Sequence, residues 1–119
     1  MSESSPLPWR ATLADALALL PEGVGRRSAG LFTHGTLRVR LYAPRGFDPQ
    51  EPHDQNEVYI IMSGQGTFRR GAETAPFAAG DVLFVPARMA HRFEAFSDDF
   101  TAWVVFYGPP GGEAEDDRA

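Results

Sequence analysis

The stretch 51-EPHDQNEVYIIMSGQG-66 decides how this chain is read. Its run Val58-Tyr59-Ile60-Ile61-Met62 is apolar on both parities, the pattern of a strand covered on two faces. Directly before it stand Glu51, His53 and Glu57, all at odd positions. Such groups are costly to bury unless they are paired or bound to a metal. The stretch is therefore either an ordinary strand entry or a ligand cluster. On one straight strand, His53 and Glu57 would lie ~13 Å apart at ~3.3 Å per residue, too far to share an ion. Asp54-Gln55-Asn56 are turn formers, however, and a short loop there makes a hairpin connection. A turn sets His53 opposite Glu57 across a strand pair, with Cβ atoms roughly 5 Å apart. Glu51 shares the face of His53. That arrangement suits one divalent ion.

Outward from this stretch the pattern stays at period two between about residues 28 and 107. "LRVRLY" alternates Leu37, Val39 and Leu41 against Arg38, Arg40 and Tyr42. "EVYIIM" and "TFRR" flank Ser63-Gly64-Gln65-Gly66, a hairpin signal. "APFAAGDVLFVP" holds a Gly80-Asp81 turn and a short strand stopped by Pro86. "HRFEAF" and "FTAWVVFY" add two strands around Ser97-Asp98-Asp99. Short strands at this spacing predict an all-β sandwich or barrel. One helix precedes it, at about 12–20: Thr12 caps it, Leu13, Ala16, Leu17 and Leu20 share a face, and Pro21 ends it. The expected layout is an N-terminal segment over 1–27, a barrel over 28–108 and a disordered acidic tail over 109–119.

With 119 residues, 43% of them apolar, the chain affords one core and no comfortable second domain. Its net charge of −5 argues against nucleic acid as the main partner. No segment is long and apolar enough to span a bilayer as a helix, so no membrane partner is expected. The absence of cysteine removes disulfides, zinc-thiolate sites and a thiol nucleophile, and fits a cytoplasmic location. In "FTAWVVFY" both parities are apolar. One face belongs to the interior; the other needs a second sheet, the helix or another subunit, which predicts a homodimer.

A third ligand must come from elsewhere, and the chain has three histidines: His34, His53 and His91. His34 sits beside Gly35 and reads as an exposed turn residue. His91 opens "HRFEAF" with Phe93 and Ala95 on its parity; it reads as a core histidine or as a ligand.

These stretches resemble the two motifs of the cupin superfamily. His53, Glu57 and Gly64 match the second histidine, the glutamate and the closing glycine of the first motif. Gly46 stands one residue short of the leading glycine, and Glu51 holds the first histidine's slot. Gly80, Pro86 and His91 match the second motif; Arg88 replaces its second glycine and Ala95 its asparagine. The resemblance covers about 37–107. It implies a small double-stranded β-helix (jelly-roll) barrel with a divalent transition metal held by His53, Glu57 and His91, and Glu51 as a fourth ligand or an exposed loop acid. A two-histidine, one-carboxylate set suits Fe(II) or Mn, with Zn and Ni credible. Tyr59 and Ile61 are expected to line the cavity, with Trp103 or Phe106 closing it according to which parity points inward. Arg38 and Arg40 either face inward toward a carboxylate or phosphate, or form a solvated face. Gln55 is a turn residue or a hydrogen-bond partner of metal-bound water, and Arg88 guards the mouth or is ordinary surface. Three functions follow as expectations: a metal-dependent enzyme (dioxygenase, isomerase, lyase or decarboxylase type) on a small organic substrate, a non-catalytic small-molecule binder, and a degenerate barrel without metal.

Overall fold

The structure, a computed structural model, describes residues 9–113. The expected loose start at 1–8 and residues 114–119 of the expected tail lie outside the described residues. Among the described residues there are one short helix, α1 (Leu13–Leu17), and eight strands. These are β1 (Ser28–His34), β2 (Leu37–Tyr42), β3 (Asn56–Ser63), β4 (Gln65–Arg70), β5 (Glu73–Ala78), β6 (Val82–Val85), β7 (His91–Glu94) and β8 (Thr101–Tyr107). They form two antiparallel sheets, ordered β1-β2-β8-β3-β6 and β5-β4-β7. The all-β jelly-roll class read from the sequence is the class observed.

The helix is capped as expected: Thr12 Oγ1 accepts from the Asp15 amide at 3.0 Å. It is shorter than the expected 12–20, because the amides of Leu19 and Leu20 already bond three residues back. None of the described helices is long and apolar enough to cross a membrane.

Ser63-Gly64-Gln65-Gly66 is not a hairpin. β3 ends paired with β8, while β4 pairs with β5 and β7, so the chain changes sheets at this corner. Gly64 has φ +89, and a Cβ there would lie 2.5 Å from the Phe100 Cα; one at Gly66 would lie 2.8 Å from the Phe96 Cα. The glycines let the corner lie against the 96–100 segment. A tight hairpin does join β4 to β5, where Arg70 faces Glu73 across Gly71-Ala72. The sequence reading did not single out β5. Its Pro76 is tolerated because β5 is an edge strand.

The register of the larger sheet positions the site. Across β2, β8 and β3 one row reads Arg38-Phe106-Glu57, the next Arg40-Val104-Tyr59, the next Tyr42-Ala102-Ile61. These rows face the interior, since Tyr59, Ile61, Ala102, Val104 and Phe106 belong to the buried core. The polar parity of β2 therefore points inward, and Val39 and Leu41 point out. Behind Tyr59 the core is aromatic: Phe93 lies 4.7 Å from Phe68, 5.2 Å from Phe77 and 4.6 Å from Phe100, centroid to centroid.

Candidate metal centre

Three elements deliver the titratable side chains. β3 carries Glu57 as its second residue, and β7, in the other sheet, opens with His91. His53 comes from the loop before β3. The expected hairpin across 54–56 is absent, because His53 belongs to no strand. A bend at Asp54-Gln55 still brings it back, and the Arg88 amide fixes it by donating to the His53 carbonyl at 2.6 Å. One ligand atom from each of His53, Glu57 and His91 falls within 4.8 Å of the others. Glu57 and His91 are buried and His53 half-buried.

The hydrogen-bond chain around them can be followed donor by donor. Asp48, a buried carboxylate, accepts from the Tyr42 hydroxyl, the Gln50 and Phe93 amides and the Gln50 side chain (Nε2 to Oδ2, 2.7 Å). That last bond turns Gln50 Oε1 toward the site, where it accepts from the Tyr59 hydroxyl at 3.0 Å and from His53 Nε2 at 3.2 Å. Tyr59 has then spent its hydrogen, so at 3.0 Å from His91 Nε2 it accepts. His91 Nε2 also meets Glu57 Oε1 at 3.0 Å, and Nδ1 donates to the Met89 carbonyl at 2.9 Å. Without a metal, acceptors stand at both nitrogens of His91, an arrangement that favours the imidazolium.

The titration tendencies agree. Burial works against protonation of His91, but the hydrogen bond and charge of Glu57, the Met89 carbonyl and Asp48 outweigh it and raise the pKa. His53 moves down, chiefly through burial; Glu57 opposes this, while His91, Arg26 and Arg38 add to it. Burial, then the charge of Glu57, holds the Tyr59 hydroxyl protonated.

A metal fits this donor set on an observation independent of any family. Glu57 Oε2 is buried and has no hydrogen-bond partner. An orphaned carboxylate oxygen is costly unless a cation meets it. The His91 Nδ1 bond to a backbone carbonyl is also the usual orienting contact behind an Nε2 ligand.

A cavity of about 220 Å³ opens onto the site, lined by Arg26, Ser28, Arg38, Arg40, Tyr42, Gln50, His53, Tyr59, Val104 and Phe106. Arg40 and Tyr59 line this cavity, and Phe106 closes its wall edge-on to His53 at 5.0 Å. Glu57 and His91 lie behind them.

Three expected contributors are elsewhere. Glu51 is exposed and outside the cluster. Gln50 faces inward in its stead, because Asp48 captures it. Gln55 donates to the Thr36 and Gly108 carbonyls at 2.8 and 2.9 Å and accepts from Arg38, so it latches loops together and does not line the cavity. Trp103 sits on the outer face of the sheet with Phe32, Val39, Ile60 and Val105. His34 is exposed at the end of β1, as read. Arg88 holds the loop by bonding Asp54 at 2.6 Å. Asp48 and Gln50 were missed, and only the capacity of an Asp-x-Gln turn to bond itself hinted at them.

The cupin domain family matches residues 38–107. The chain belongs to the cupin family. A curated relative, an uncharacterized protein of Streptomyces coelicolor, is 45% identical over 62 residues, which are 52% of this chain and 59% of that one. The match thus leaves about two fifths of that relative's length uncovered. A cupin 2 conserved barrel protein of Salinispora arenicola superposes with a TM-score of 0.63 at 22% identity, over 91% of this cupin and 90% of that one. A cupin superfamily protein of Desulfitobacterium hafniense superposes with a TM-score of 0.64 at 16% identity, over 92% and 95%. At these identities the likeness shows the double-stranded β-helix fold alone.

Proposed function

We propose that this cupin binds one divalent transition metal through His53, Glu57 and His91 and acts as a metal-dependent enzyme on a small organic molecule held in the adjoining cavity. The unpaired, buried Oε2 of Glu57 beside two imidazoles carries this reading. A two-histidine, one-carboxylate set with open positions suits Fe(II) or Mn, and with Glu51 outside the cluster the donors themselves do not exclude Zn or Ni. When bound, such an ion supplies Lewis acidity or an O2-binding centre.

The chain's own residues prepare the site for that chemistry. Gln50 Oε1, fixed by Asp48, stands 3.2 Å from His53 Nε2 and offers a neutral oxygen on the same side. The Tyr59 hydroxyl holds a proton between Gln50 and His91. Phe106 and Val104 make one wall apolar.

A metal-free barrel is the competing reading, favoured by the 3.0 Å contact of His91 with Glu57, which pairs the two charges unaided. Elemental analysis of protein purified without chelator separates the two. A stoichiometric transition metal that disappears in His91→Ala supports the centre; metal-free protein that also fails to take up Fe(II) or Mn(II) overturns it. O2 consumption or turnover with candidate substrates then distinguishes an enzyme from a binder.

We also propose that the outer face of the larger sheet joins two copies of the chain. Trp103, Ile60 and Val105 lie there, continuous with Val82 and Phe84, which are 65% and 44% exposed. Mass measurement across a concentration series tests this; a monomer at every concentration removes it.

A further inference from the structure

The mouth of the cavity carries three guanidinium groups, from Arg26, Arg38 and Arg40. Among the described residues none of the three forms an ion pair, as is true also of Arg10, Arg27, Arg45 and Arg92; what sets Arg26, Arg38 and Arg40 apart is that they line one cavity. No acidic side chain lines that cavity, although acids outnumber bases in the chain. Like charges held together around one opening repel, and the arrangement is costly unless something anionic enters it.

Each inward-facing arginine is held by its Nε, which leaves its outer nitrogens free. Arg40 Nε donates to Ser28 Oγ at 3.0 Å. Its Nη1 lies over Gly30, where a Cβ would approach to 3.0 Å, so the missing side chain gives the guanidinium its room. Arg38 Nε donates to Gln55 Oε1 at 2.9 Å, and its guanidinium carbon stacks 4.4 Å from the centre of the Phe106 ring. Phe106 in turn touches His53. The cationic rim therefore sits one side chain away from the candidate metal ligands. Burial, with the charges of Arg26 and Arg38, lowers the Arg40 pKa, as expected of cations converging without a counterion.

We propose that the cavity selects a small organic anion, whose carboxylate or phosphate group is gripped by Arg26, Arg38 and Arg40 while the rest of the molecule reaches in toward His53 and Tyr59. The inference rests on reading this cavity as the substrate site. Preset planar donors recognise such oxygens in pairs, and a cavity of about 220 Å³ limits the anion to a compact metabolite.

Calorimetric titration with succinate, inorganic phosphate and the uncharged succinamide, on metal-free and Mn(II)-loaded protein, tests this. Succinate or phosphate should bind and succinamide should not; which anion binds more tightly names the group. Arg40→Gln and Arg38→Gln should each weaken binding roughly tenfold to a hundredfold, the scale of one charge-assisted contact. Arg70→Gln, remote and already paired, should change nothing. Anion binding to protein that takes up no metal keeps the inference and removes the metal reading. Metal uptake with no binding of either anion, or succinamide binding as well as succinate, overturns the inference.

Discussion

Around Phe93 the barrel interior is filled by rings: Phe68, Phe77 and Phe100 lie within 5.2 Å of it, centroid to centroid. Around His91, in the same interior, the space is filled by a carboxylate, a second imidazole, an amide and a hydroxyl. Tyr59 joins the two regions. Its ring packs edge-on to Phe93 at 4.9 Å while its hydroxyl serves Gln50 and His91. The aromatic region gains from burial without conditions. The polar region gains only if every donor and acceptor is met, and Glu57 Oε2 is not. One region is thus built for stability, and the other is left incomplete in a way that a ligand completes.

Substitutions should divide along this line. Phe93→Ala should show the largest stability loss, about 3–5 kcal/mol in chemical denaturation, from transfer and cavity terms together. Protein that remains folded should still take up metal, because the Phe93 backbone amide that supports Asp48 survives the change. Glu57→Gln should reverse the pattern. Its volume is unchanged, but it strips His91 of its counter-charge; because the imidazole can shed its proton, the loss is capped near neutral pH and the metal-free midpoint should move less than in Phe93→Ala. Metal affinity should fall about a hundredfold or more by competition with a chelating indicator. Unchanged affinity would give Glu57 another role and erase the distinction between the two regions.

The pH response sharpens the same contrast, because His91 should act with opposite signs in the two states. In metal-free protein its raised pKa contributes stability that is complete below about pH 6.5, the unfolded imidazole value, and fades as pH climbs through the folded value. Metal binding needs Nε2 free, so it displaces a proton, and affinity should drop as pH falls below that folded value. Calorimetry in two buffers of different ionisation enthalpy should record proton release on Mn(II) addition at pH 6, below the ordinary imidazole value of about 6.5. His91→Gln should remove the metal-free pH dependence assigned here. Metal uptake with no proton released would show that the imidazolium inferred from the hydrogen-bond chain is not present.

How far this division was legible in the sequence follows from periodicity. His53 and Glu57 are legible as a pair because the turn formers Asp54-Gln55-Asn56 separate them, and His91 joins them only through the resemblance to the two cupin motifs. Trp103 and Phe106 were not separable, since β8 is apolar on both parities and neither face is marked. Only the pairing of Phe106 with Arg38 and Glu57 decides which parity is inside. Glu51 and Gln50 were confused because the loop between β2 and β3 has no period, and a one-residue difference there depends on a tertiary contact with Asp48. The corner at Gly64 was read as a hairpin because the glycines that allow a tight turn equally allow close approach to Phe100.

The smallest effects concern the two positions where the chain departs from the second cupin motif. Arg88 and Ala95 hold φ of 70 and 51, the left-handed region that glycine and asparagine tolerate. Ala95 is exposed, so little packing depends on its methyl group. Ala95→Gly relieves about 1–2 kcal/mol of strain. It gives back roughly 0.4–1 kcal/mol of unfolded-chain entropy. A net gain of about 0.5–1 kcal/mol should appear in urea denaturation. Arg88→Gly relieves the same kind of strain but removes the Asp54 contact that ties the loop carrying His53 to the loop before His91. That pair is solvent-exposed and contributes little stability, so the two variants should be nearly equal in stability. They should differ in metal affinity, with Arg88→Gly weaker, because the lost contact ties down the loop that carries His53 and Ala95→Gly removes only an exposed methyl group. Equal metal affinity in both would mean that the bend at Asp54-Gln55 and the amide bond to His53 place the imidazole without help from the guanidinium.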